Sequence, residues 1–320
     1  ALQRGDVADG SVAPGDPVQR VAGGDRVATA IELSRQRPIT SAPVVLARSD
    51  DPTDALVAGP LAGVLDAPVL ITPPDVLDPR VLAEVSRRGA TSVVVVGVGP
   101  STAVVHVLRD AGLDVRRLAG TDRFGTAEVV ARAVWGATGT TRTALLALGE
   151  HPVPSRQWPD AMMASYLGAA TGQPVLLTGP DALPTGTAAL LADVRVTVVG
   201  GSVAIPDDVV SGLDVRRLAG SDRYATSTAV TDDLRRVGAV DVDRVWAATG
   251  TNWPDAITAG PVVAARGEAL VLVDGSGGGA SANTSAWMHG LAEQIAEGRV
   301  IGGTAAVAPD ALTRFGLDLT

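Results

Sequence analysis

An arginine preceded by aspartate, and set behind Ala-Gly-x, is written three times in this chain. The copies are Ala22-Gly23-Gly24-Asp25-Arg26, Ala119-Gly120-Thr121-Asp122-Arg123 and Ala219-Gly220-Ser221-Asp222-Arg223. A guanidinium is a planar fork of donors that stays charged and matches the oxygens of carboxylate or phosphate. Arg26, Arg123 and Arg223 are therefore candidate contacts to an anionic partner. The neighbouring aspartate supports a competing, structural use, because a carboxylate weakens the local positive field and can hold the arginine in place. Arg20, Arg117 and Arg217 stand just upstream of the three motifs and are candidates to line a groove. Trp158 and Trp253 precede Pro-Asp-Ala. Their rings suit stacking on a sugar or packing beside a helix start.

Other chemistry finds no constellation. His106, His151 and His289 fall in unrelated places, and no H-E-x-x-H or EF-hand spacing occurs. Serines have no repeated His/Asp partners, which leaves nucleophilic catalysis unsupported. No G-x-x-x-x-G-K-[ST] or full G-x-G-x-x-G occurs. The reading is of a protein that is not an enzyme and needs no cofactor. Loose calcium binding by paired aspartates such as Asp50-Asp51 is the one metal use left open.

Composition narrows the partner. The net charge of −9 argues against nucleic acid, which selects a basic footprint. All basic residues are arginine. No apolar run approaches the roughly 18 residues that a membrane-spanning helix needs, so no membrane insertion is expected. With 46% hydrophobic but only 3% aromatic residues, the cores must be built from Val, Leu, Ile and Ala. Cysteine is absent, which excludes disulfides and thiolate metal sites.

The elements that must position the arginines recur with the motif, at intervals of about one hundred residues. Asp25, Asp122 and Asp222, or the residues just before them, are placed to cap a helix. A short apolar strand follows at Val44-Val45-Leu46, Ala144-Leu145-Leu146 and Arg244-Val245-Trp246. A Pro-x-Asp-Ala or Pro-Asp-Ala turn then opens a second helix, with Asp54, Asp160 and Asp255 as its expected caps. Two more strands come next, at 68–72, 174–178 and 269–273, then 93–96, 196–199 and 299–301, each of the latter running into glycine. A last strand, 114–118 or 214–218, leads into the next motif. Short apolar strands alternating with helices predict parallel sheets in a doubly wound α/β arrangement. The predicted domains are residues 18–118, 119–218 and 219–320 after a Gly/Pro-rich tail, 1–17, packed as a body with approximate threefold symmetry. A terminal strand at 316–319 is expected to lie beside Val18–Val21 and close a ring.

The ordered pattern R-[LV]-A-G-x-D-R-[YF]-x-T-A, W-P-D-A, P-[VI]-L-[LI]-T and V-V-G-G-x-x-A-[VI] resembles the cell-wall-binding repeat type 2 family. The resemblance covers nearly all of Val18–Thr320. It implies three tandem Rossmann-like or Toprim-like modules on a Gram-positive surface, and non-covalent anchoring to an anionic secondary wall polymer, a polysaccharide or teichoic-acid-like chain. It implies a fused or associated effector domain as well. An adhesion scaffold that contacts protein partners, or the binding part of a wall hydrolase, are the alternatives. Copy one departs most: Val27 replaces Phe124 and Tyr224, Asp51 replaces Trp158 and Trp253, and Gly97-Val98-Gly99 replaces a Gly-Gly pair. If every module is a site, copy one should bind most weakly. A Gly-rich loop at 274–281 is expected to move.

Overall fold

Three apolar runs decide the architecture. Val44–Ala47, Ala144–Leu148 and Val245–Ala248 are buried along their whole length. A strand covered on both faces has no polar side to show, as at the centre of a parallel sheet. In the computed structural model, which describes residues 18–40, 42–150, 158–276 and 281–308, these runs lie in β2 (Val44–Arg48), β6 (Thr143–Leu148) and β10 (Asp241–Thr249).

Each run sits second in a four-stranded parallel sheet. The first sheet adds β3 (Val69–Thr72) on one side, and β4 (Ser92–Val96) then β5 (Asp114–Leu118) on the other. The second adds β7 (Val175–Thr178), β8 (Arg195–Val199) and β9 (Asp214–Leu218) in the same places. The third adds β11 (Glu268–Val273) and β12 (Glu297–Ile301), and its fourth position is filled from the other end of the chain by β1 (Val18–Val21). The three closing hydrogen bonds are equivalent. Gly97 N–H donates to Leu118 O at 2.8 Å, Gly200 N–H to Leu218 O at 2.9 Å, and Gly302 N–H to Val21 O at 3.0 Å. β1 thus joins the third sheet, although in sequence it precedes the first motif. The strand expected at 316–319 lies outside the described residues, as do the tail and residues 277–280 of the Gly-rich loop.

Between the sheets stand α2 (Pro52–Val64), α6 (Pro159–Thr171) and α9 (Pro254–Ala265), which pack on one another. Their buried residues run right round the helix, from Pro52 to Ala62 in α2 and from Pro254 to Val263 in α9. A helix apolar on all sides belongs at the centre of a body rather than on its surface. Tyr166 of α6 is wholly buried and donates its hydroxyl to Glu268 O of the third module at 2.6 Å. The helices that follow the motifs, α1 (Arg26–Arg35), α5 (Arg123–Thr138) and α8 (Arg223–Arg236), each pack on the central helix of the preceding module: α1 on α9, α5 on α2 and α8 on α6. Three like sheets around three mutually packed helices make a pseudo-threefold trimer within one chain.

Candidate functional site

In the first two sheets the chain moves outward one way from β2 or β6 and the other way from β4 or β8, and in the third β11 and β1 flank the central pair β10 and β12 in the same way. That reversal opens a crevice beyond the carboxyl ends of the strands, where ligands of open α/β sheets bind. Here the crevice after β2 and β4 is closed by the motif that follows β5. The same holds after β6, β8 and β9. In the third sheet the closing motif follows β1, at the start of the chain. Every crevice is therefore a seam between modules.

Asp25, Asp122 and Asp222 cap α1, α5 and α8 as expected. Asp25 accepts from Ala28 N–H at 2.8 Å, Asp122 from Gly125 N–H at 2.7 Å and Asp222 from Ala225 N–H at 2.8 Å. Thr29, Thr126 and Thr226 lock the turn from inside, each hydroxyl accepting from the motif glycine N–H at 3.1 Å. Their recurrence six residues beyond that glycine is the signal that could have assigned them.

Asp54, Asp160 and Asp255 do not cap the second helix. The N-cap residues are Asp51, Trp158 and Trp253, and the three aspartates lie within the first turn. Their carboxylates are tucked under the glycine that ends the third strand. A Cβ on Gly97, Gly200 or Gly302 would sit 2.0, 2.9 or 2.3 Å from the carboxylate of Asp54, Asp160 or Asp255. These glycines have φ of 80°, 126° and 100°, where a side chain would be strained in any case. Burial raises the pKa of all three aspartates, taking Asp54 and Asp255 up to about 6. At Asp54 the charge of Asp51 adds to the rise, and Arg48, Arg123 and Arg117 oppose it. At Asp160 a hydrogen bond from Thr226 and the charge of Arg223 oppose it, and at Asp255 the charge of Arg26 does so.

Each motif arginine thus faces the buried aspartate of the preceding module, around the ring. Each is oriented by its own module. Arg26 donates to Ser49 O at 2.7 Å, Arg123 to Gly149 O at 2.8 Å and Arg223 to Gly250 O at 2.6 Å. Gly149 and Gly250 leave room for Phe124 and Tyr224, whose rings lie against them. The first module has the smaller Val27 and, in place of glycine, Ser49. At the seam of modules two and three a cleft of about 310 Å³ is lined by Pro159, Asp160, Gly201, Ser221, Arg223 and Thr226.

The upstream arginines do another job. Arg20 donates to Gly302 O and Val307 O, Arg117 to Gly97 O and Pro100 O, and Arg217 to Gly200 O, Ile205 O and the Asp207 carboxylate. Their forks are occupied in tying the last strand to the glycine loop, so they hold the crevice floor rather than line an open groove. Trp253 is 5% exposed, with the Arg26 guanidinium 5.8 Å above its ring. That ring packs and supports the arginine, and has no free face for a sugar. Trp158 is half-buried against the core.

The family described as cell wall binding domain 2 (CWB2) matches residues 20–105, 117–210 and 217–312. The chain is 28% identical over 264 residues to N-acetylmuramoyl-L-alanine amidase LytC of Bacillus subtilis (strain 168), covering 81% of this chain and 50% of that protein. It is 27% identical over 260 residues to the amidase enhancer of the same organism, covering 79% and 34%. The chain thus spans half or less of these two relatives. Among solved structures, Cwp8 from Clostridium difficile superposes with a TM-score of 0.80 at 24% identity, over 95% of this chain and 52% of that one. Cwp6 from the same organism does so with 0.79 at 22%, over 95% and 48%. These likenesses show the shared fold.

Proposed function

Because the chain belongs to the cell wall binding domain 2 family, we propose that it attaches to the bacterial cell wall, without bond-making chemistry, by taking an anionic secondary wall polymer into the three seams. The observation that carries this reading is the threefold recurrence of an arginine, fixed by a backbone carbonyl, beside a buried aspartate with a raised pKa. An aspartate whose pKa is raised by burial gives up its charge more readily and then leaves the guanidinium charge to an incoming oxyanion. On a protein of net charge −9, such local forks overcome the general repulsion of a polyanion. Three modest sites on one rigid body add through avidity, by about 10²–10⁴ over a single site. The chain is a surface protein on this reading, and its polymer is a polysaccharide or teichoic-acid-like chain. Co-sedimentation with purified wall sacculi, before and after the secondary polymer is stripped, tests it. Retention should fall on stripped walls, and equal retention would overturn it.

The amidase relative favours a companion reading, in which this region is the wall-binding part of a longer wall hydrolase. Zymography of this chain alone should then be blank, with clearing restored only when a catalytic domain is joined to it.

A further inference from the structure

Nearly every described arginine spends its fork on a carbonyl or a carboxylate. Among the described residues, the exceptions are Arg109, Arg116, Arg132, Arg142 and Arg195. Of these, Arg132 and Arg195 have only long ion pairs, 4.0 Å to Glu128 and 3.7 Å to Asp214. Arg116 and Arg132 line one cleft of about 450 Å³, between the β4–β5 edge of the first module and α5 of the second. Leu61, Leu65, Val93 and Ala133 form much of its apolar wall.

The same position at the next seam shows what is missing. Arg216, the equivalent of Arg116 one repeat later, is clamped by Asp233 of α8 through two hydrogen bonds of 2.8 Å. The residue of α5 that corresponds to Asp233 is Ala133. The seam of modules two and three thus carries a closed arginine–carboxylate fork, and the seam of modules one and two has the fork without the carboxylate. Arg132 adds a second exposed cation there, where α8 has Asp232. The cleft is distinct from the crevices above. Arg116 and Arg117 are neighbours on β5 and point to opposite faces. Arg117 holds the crevice floor, while Arg116 faces α5. Asp114 shares the lining, so the attraction rests on unfilled bidentate geometry more than on net charge.

We propose that this cleft binds an oxyanion group, a carboxylate or phosphate on a small or chain-like ligand, which occupies the place that the Asp233 carboxylate fills at the sister seam. The apolar wall would seat the rest of the ligand, in the usual manner of small-molecule sites.

Titration calorimetry with tripolyphosphate and, separately, with glucuronate tests this and separates phosphate from carboxylate sources. At least one should bind saturably, with Kd of about 1 mM or tighter. Ala133→Asp supplies the internal carboxylate and should weaken that binding at least tenfold while leaving the thermal midpoint unchanged or higher. Arg116→Gln with Arg132→Gln should weaken it equally, and Arg109→Gln, which removes an unpaired arginine elsewhere, should not. Asp233→Ala opens the sister fork and should add a second binding equivalent. No saturable heat with either probe, an Ala133→Asp protein that folds yet binds as before, or an equal loss in Arg109→Gln would each overturn the proposal. Sacculus retention is read separately, so failure here and failure of the wall-binding reading are distinguishable.

Discussion

Two seams reach the same electrostatic end by different routes. Where module three meets module one, Asp255 faces Arg26, and the guanidinium rests on the Trp253 ring. Where module one meets module two, the tryptophan is replaced by Asp51, and Asp54 faces Arg48, Arg117 and Arg123. Both buried carboxyls are nevertheless pushed up to about 6. Burial is the largest cause at each, and the added arginines at Asp54 are offset in part by Asp51. The seams differ in how free the motif arginine is. A ring supports Arg26 without neutralising it. Arg123 has Asp51 at 4.0 Å. The departures of copy one are therefore divided between two seams. Arg26 of copy one works against Trp253 of copy three, and Asp51 of copy one sits beside Arg123 of copy two.

The comparison can be broken most strongly at Trp253. Trp253→Ala removes a buried ring and should cost about 3–5 kcal/mol in denaturant unfolding, whereas the half-buried Trp158 should cost less when truncated. A near-zero cost would mean that this seam does not depend on the ring.

The pH dependence comes next. A carboxyl whose pKa is raised in the folded state contributes stability below its unfolded value, near 3.8, and that contribution is lost as pH rises through about 6. Asp255→Asn should therefore gain stability relative to the parent between pH 4 and pH 7, by about 2–3 kcal/mol. Melting the two proteins side by side across that range isolates the one group, and parallel curves would show that Asp255 titrates normally. Polymer retention follows the same sign. Protonation of Asp54 and Asp255 frees Arg123 and Arg26, so retention should rise as pH falls through about 6, while phosphodiesters stay ionised.

A smaller effect separates the two arginines. Arg26→Gln should reduce sacculus retention about tenfold, or about 1.4 kcal/mol, and Arg123→Gln by less, because Asp51 already shares its charge. Equal losses would remove the distinction between the seams. The finest test is Asp51→Asn, which keeps a capping side chain. It should lower the pKa of Asp54 and leave that of Asp255 unchanged when carboxyl carbons are titrated by NMR.

Much of the fold was legible along the chain. Val44–Ala47 and its copies read as buried strands because an unbroken apolar run has no solvent face. Asp25, Asp122 and Asp222 read as caps because a short carboxylate before a helix meets free N–H groups. The site was less legible. Asp54, Asp160 and Asp255 look like caps by their place after proline. Only the glycine turn packed over them makes them buried acids. Arg117 and Arg116 are adjacent and chemically identical in sequence. Which one lines a cleft depends on the face of β5 that each occupies and on what the next module brings to it.

The sequence by itself determined the repeat, the order of elements in each module and the presence of an arginine fork at every third of the chain. These follow from local periodicity and capping, which act over a few residues. Tertiary structure decided what each fork meets: an acid from the preceding module, a ring from the far end of the chain, or, at Arg116, an apolar wall with alanine where the sister seam has Asp233. It also decided that β1 completes the third sheet beside β12, more than 270 residues away. Such partners are set by ring closure, which brings together surfaces that no spacing along the chain relates.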